Sequence, residues 1–62
     1  MKTITLMQAG HVIPVKVLVQ NIKQFFAVTY KNGQVVTAIQ FMDGTENHFT
    51  NAVDEVDRLI NG

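Results

Sequence analysis

The chain has 62 residues, with five basic and five acidic side chains, no cysteine and a formal net charge of zero. That length allows one small domain, residues 1–62, and a domain of this size buries only about 60% of its unfolded surface. Without cysteine, disulfides and thiolate metal sites are excluded, so the stability margin must come from packing or self-association.

Hydrophobic residues make up 47% of the chain and charged residues 16%, a globular composition with few charges to cover its surface. The longest apolar run, Phe25 to Val28, is far short of the roughly 20 residues that span a bilayer. Lys2 leads straight into alternating Thr and aliphatic residues, unlike a secretory segment. The expectation is a cytoplasmic protein with no membrane partner.

Lys2 to Met7 alternates, with Ile4 and Leu6 on one face and Thr3 and Thr5 on the other, which predicts a half-buried strand. A turn over Gln8-Ala9-Gly10-His11 leads to a second, β-branched strand, Val12 to Val19. With Ala9 and Gly10 as the loop, Leu6 faces Ile13 and Ile4 faces Val15, so apolar side chains meet. Pro14 lacks an amide hydrogen and belongs at an edge, a bulge or an outward-facing nitrogen.

After a polar break at residues 20–24 comes the strongest local signal, two β-prone runs joined by Asn32-Gly33. Such a dipeptide predicts a two-residue type I′ hairpin. Tyr30 would then face Val35, Val28 face Thr37 and Phe26 face Ile39, and Phe41 would continue that row into the core. Phe25, Ala27, Thr29, Val36, Ala38, Gln40 and Met42 would face the other way. Asp43-Gly44-Thr45 ends the strand. From Phe49 to Ile60 the apolar residues Phe49, Ala52, Val53, Val56, Leu59 and Ile60 take helical spacing, with Thr50 or Asn51 as N-cap. The predicted architecture is α+β: a four-stranded antiparallel β-meander with one C-terminal α-helix packed on one face, ββββα.

Signals for chemistry are sparse. In a meander, His11 and His48 fall at opposite ends of the sheet, about 20 Å apart, so they share no metal and form no acid–base pair. Residues 43–54 place Asp43, Thr45, Asn47 and Asp54 loosely like a calcium loop, but Gly44 is not where such a loop needs its glycine. There is no serine and no phosphate-cradling glycine run. The expectation is a protein that is not an enzyme, with no cofactor and no evident small-molecule substrate.

Charge is distributed unevenly. Lys2, Lys16, Lys23 and Lys31 precede Asp43, and all five acids follow from there with Arg58. One reading makes the lysine-bearing open sheet face, beside Phe25, a nucleic-acid platform. The favoured reading rests on the face that one helix cannot cover. There Met7, Val12, Leu18, Phe25, Ala27, Val36, Ala38 and Met42 would form an apolar patch, which marks an interaction surface. The expected function is therefore a small protein-interaction module of accessory or inhibitor type, binding a protein partner or a second copy as a homodimer through the open sheet face or an edge strand. Chains of this size include such factors carried by phages and mobile elements, an association resting on size alone.

Overall fold

A computed structural model of the chain describes residues 1–10 and 12–62. It is α+β, with antiparallel strands β1 (Thr3–Met7), β2 (Pro14–Leu18), β3 (Ile22–Thr29), β4 (Val35–Phe41) and β5 (Glu46–Phe49), followed by α1 (Val53–Asn61). The strands form two sheets, β1–β2 and β3–β4–β5, rather than one four-stranded meander. A short 3₁₀ turn at Val19–Asn21 takes the chain from β2 to β3, which do not pair.

The sheets are knitted at the end of β1. Gln8 bridges to Phe49, the Ala9 N–H donates to the His48 carbonyl (2.9 Å), and the Thr50 N–H donates to the Met7 carbonyl (2.8 Å). Because Gln8 and Ala9 run beside β5, they are unavailable for a tight turn into β2. The β1–β2 pairing is accordingly offset by two residues from expectation, with Ile4 opposite Val17 and Leu6 opposite Val15. An even offset keeps each side chain on its face. Pro14 sits at the first position of an edge strand, where its missing N–H costs no ladder bond.

The β3–β4 hairpin differs by one residue, which has larger consequences. Gly33 has φ +88°, and among the described residues no non-glycine has positive φ, so Asn32 cannot take its type I′ conformation. Instead the Gly33 N–H donates to the Tyr30 carbonyl (2.9 Å) and the Tyr30 N–H to the Gln34 carbonyl (2.7 Å), closing a three-residue loop. Phe25 then pairs with Ile39, Ala27 with Thr37 and Val28 with Val36. β4 keeps its expected faces and β3 reverses. Phe25 packs inward against the core, while Phe26, Val28 and Tyr30 lie on the opposite face with Val36 and Ala38.

Asp43-Gly44 repeats this device eleven residues later. Gly44 has φ +90°, its N–H donates to the Phe41 carbonyl (3.0 Å), and the Phe41 N–H donates to the Thr45 carbonyl (2.8 Å). Asn32 Oδ1 accepts from the Gln34 amide (2.9 Å) in the first turn, as Asp43 Oδ1 does from the Thr45 amide (3.0 Å) in the second. What the sequence presents as a strand break is a hairpin, and residues 46–49 return as β5. Phe49 is therefore a strand residue opposite Thr37, and the helix starts only at Val53.

The core joins Ile4, Leu6, Val17, Ile39, Phe49 and Val56, with Phe25, Phe41 and Ile60 partly buried around it. Nine residues give α1 a length of about 13 Å, too short to persist alone. It is held by Val56, which is fully buried, and at its C-terminal end by Lys2, whose Nζ donates to the Ile60 carbonyl (2.6 Å). Asn51 is not the N-cap; Ala52 is, with no capping side chain. Asn51 is pulled aside because its Oδ1 accepts the Met7 amide (2.7 Å), its Nδ2 donates to Glu55 (3.1 Å) and its carbonyl accepts the Thr37 hydroxyl. One side chain and its backbone thus tie β1, β4 and α1 together.

Asn51→Ala should destabilise the fold by about 1–3 kcal/mol, because it strands the Met7 donor, whereas Asn51→Asp should retain most of that bond. Urea unfolding of both variants measures the difference. At each hairpin a Cβ added to glycine meets no atom within 4 Å, so Gly33→Ala and Gly44→Ala should each cost only backbone strain, about 1–2 kcal/mol. Their effects should add, being at opposite ends of β4.

Candidate functional site

Three features meet on β3: its free edge, its outer face and a groove beside the helix. The edge follows from the hairpin phase. In an antiparallel ladder, alternate residues direct both backbone groups to one neighbour. Since the Tyr30 N–H bonds to Gln34, the even-numbered residues Val28, Phe26 and Gln24 bond to β4. The N–H and C=O groups of Phe25, Ala27 and Thr29 therefore point away from β4, and among the described residues β3 has no strand on that side. Ala27 and Thr29 are exposed, and Ala27 borders a concavity shared with Ala52, Val53 and Asp54 at the start of α1. The five residues Phe25 to Thr29 contain no charge, proline or glycine, and the bulge on β3 lies before them, between Ile22 and Gln24. The features that usually blunt an edge are missing from this stretch.

The outer face combines an apolar centre with a polar border. Phe26 is 39% exposed and Val28 half-buried, while Val36 and Ala38 on the central strand are at most 1% exposed. Their cover is lateral. Tyr30 lies opposite Gln34, and His48 opposite Ala38, so the bond from the Tyr30 hydroxyl to His48 Nδ1 (2.6 Å) passes over Val36. The two rings stand 5.7 Å apart, tilted by 40°. His48 Nε2 in turn contacts Glu46 Oε2 (3.0 Å), Gln40 Nε2 donates to Glu46 Oε1 (2.9 Å), and Gln24 donates to Gln40. One tautomer satisfies the chain throughout: Nε2–H donates to the carboxylate and Nδ1 accepts from the tyrosine hydroxyl.

Glu46 is held below the ordinary carboxylate range, first by its bond from Gln40 and then by His48. Asp43 at the second hairpin is also lowered, mainly by the Thr45 hydroxyl (2.7 Å) and then by the Thr45 amide. A Tyr–His–Glu constellation suggests proton transfer, but this one lies on an open sheet surface. The four main concavities include neither Tyr30 nor His48. As placed, the three side chains fasten β3 to β5 across β4.

The groove, about 430 Å³, lies at the other end of the edge, between Ile60 of α1, Val19 at the 3₁₀ turn and residues 22–25 of β3. It is mostly apolar, with Lys23 and Gln24 at its lip.

The structure disperses the expected interface. Phe25 packs toward the core, reversing its outward assignment; Val36 and Ala38 keep the outer face but are buried there, and Met7 and Leu18 are half-buried. Val12 and Met42 are exposed, at 90% and 64%, but lie outside the strands, and Phe25 and Ala27 stand on the free edge. Phe26 and Val28, assigned inward from sequence, are the outward residues. Of the lysines, Lys2 is engaged at the helix terminus, Lys16 lies on β2, Lys23 on β3 and Lys31 at the hairpin tip, so four different elements carry them. The separation expected between His11 and His48 falls outside the described residues. Among those described, no three His, Asp or Glu side chains gather to hold a metal ion, and no helix is long and apolar enough to cross a membrane.

Sequence reasoning missed the Tyr30–His48 pair because it left His48 in a loop. The signal was present in Asp43-Gly44: read as a second hairpin, it brings residue 48 back opposite residue 38.

Comparison with family models, with curated proteins and with solved structures yields no match for this chain.

Acid should weaken the fold through the two lowered carboxyls. Their native pKa values lie below those of the unfolded chain, near 4. The stabilisation is therefore complete above that range and is lost as pH falls through the lowered native values. Urea midpoints should fall between pH 5 and pH 2, and fall less in an Asp43→Asn/Glu46→Gln variant. An equal fall in both would assign the acid loss to other carboxyls.

Proposed function

We propose that this chain is a small, non-enzymatic protein-interaction module of accessory or inhibitor type, which binds an extended segment along the edge of β3. The observation behind this reading is the phase of the β3 backbone. Phe25, Ala27 and Thr29 each offer a donor and an acceptor to an added strand, which is the arrangement used in β-strand addition. Main-chain bonds would supply affinity, and side chains of alternating direction would supply selectivity. On one side they would meet Phe26 and Val28; on the other they would enter the groove between β3 and Ile60.

The chemistry favours an uncharged, β-prone partner segment, since the central five edge residues carry no charge. The nucleic-acid alternative has weaker support: one of its four lysines is bound to the helix end and the others lie on separate elements.

The test is selection of peptides from a random displayed library, followed by titration into isotope-labelled protein. Backbone shifts should concentrate at residues 25–29, with side-chain shifts at Phe26, Val28 and Ile60. Phe26→Asp should weaken binding at least tenfold while leaving the amide spectrum folded. Selected peptides that bind elsewhere, or affinity unchanged in Phe26→Asp, would remove the reading.

A further inference from the structure

The β3 edge is complementary to itself, and we infer that its partner is a second copy of this chain, paired antiparallel across a two-fold axis at Ala27. This rests on the strand-addition reading above and specifies its occupant. The backbone phase limits the choice. Outward-directed residues must meet outward-directed residues, so the axis passes through a residue, and only an axis at Ala27 keeps all three pairs within residues 25–29. Centred on Ala27, Phe25 meets Thr29 of the second copy, Ala27 meets its own equivalent and Thr29 meets Phe25. All three edge residues then use both backbone groups, giving six inter-chain bonds. Centred on Phe26, the ladder would need Lys23, which lies at the bulge between Ile22 and Gln24. Centred on Val28, it would need Lys31, which lies in the hairpin loop.

The side chains agree with the same axis. Between the hydrogen-bonded pairs, Phe26 falls opposite Val28 of the second copy, and Val28 opposite its Phe26. Aromatic against β-branched is a favourable cross-strand pair. Both pairs lie on the outer face, because residues opposed in an antiparallel ladder share a side. The exposed Phe26 of each copy gains a neighbour, and the two apolar patches merge into one, bordered at both ends by Gln24, Gln40, Glu46, His48 and Tyr30. Two three-stranded sheets become one sheet of six strands, and no unprotected β3 edge is left. Lys23 of one copy approaches Lys31 of the other at each end. Association should therefore strengthen with added salt, the reverse of binding to nucleic acid.

The interface is one strand deep, so its dissociation constant should be in the micromolar range. Sedimentation of the full chain from ~1 µM to ~1 mM should show a monomer–dimer equilibrium that shifts toward dimer between 50 mM and 500 mM salt. Hydrogen exchange should slow at the Phe25, Ala27 and Thr29 amides as concentration rises, while the Val28 amide, already bonded to β4, changes little. Ala27→Pro removes an N–H that the β3–β4 ladder does not use, and should weaken dimerisation at least tenfold. Should that variant fail to fold, inter-copy contacts between Phe26 and Val28 in mixed-label NMR of the unaltered chain decide the matter. A monomer at every concentration, or a dimer whose Phe25, Ala27 and Thr29 amides stay unprotected, overturns the inference. A monomer that still binds selected peptides on β3 would overturn the homodimer and leave the strand-addition reading standing.

Discussion

Two hydrogen bonds at the tip of the first hairpin set the phase of everything on β3. Gly33 donates to Tyr30, and Tyr30 to Gln34, and each further pair down the ladder inherits that offset. A two-residue loop would have sent Phe26 and Val28 into the core and directed the backbone of Phe25, Ala27 and Thr29 toward β4. The three-residue loop does the reverse on both counts. Conformational freedom at one position permits the outcome: Gly33 takes positive φ without steric cost, and Asn32 is not required to.

The second hairpin uses the same economy. Two turns of one design flank β4 and make it a central strand, which is why its residues Val36 to Ile39 are the longest buried run in the described chain. A 62-residue chain without cysteine has little core to draw on, and here the core is shared between both sheets and one short helix. Asn51 and the Gln8–Phe49 bridge supply the polar and backbone ties that hold those layers in position. On the outer face the Tyr30–His48–Glu46 chain performs a related task, fastening β3 to β5 across β4.

The open edge has two sides to its physics. An uncharged, unblunted strand is a site of uncontrolled aggregation unless something pairs with it. The rest of the surface is managed more carefully: Lys2 closes the helix, and acids line its first turn, where the helix dipole favours them. Against that background the bare backbone of Phe25, Ala27 and Thr29 stands out, and the proposed strand addition would pair it.

Much of the fold was legible in the residues. Alternation in β1 placed Ile4 and Leu6 inward, β4 received its correct faces, and the helical spacing of Val53, Val56 and Ile60 marked α1. Local rules suffice there because each signal is the residue's own periodicity. β5 was harder to see. Glu46-Asn47-His48 is polar and poor in β-formers, and only its pairing with β4 makes it a strand. Asn51 has the chemistry of a cap but is drawn away by Met7, forty-four residues earlier in the chain. The sequence by itself determined that a hairpin forms at Asn32-Gly33; at Asp43-Gly44 it carries a turn dipeptide of the same kind but no β-prone run to follow it. Tertiary structure alone decided the loop length at Gly33, because a loop of two residues and one of three satisfy the same local pattern. That single residue of register, fixed by packing Phe25 rather than Phe26 against the core, determined which edge and which face the protein presents.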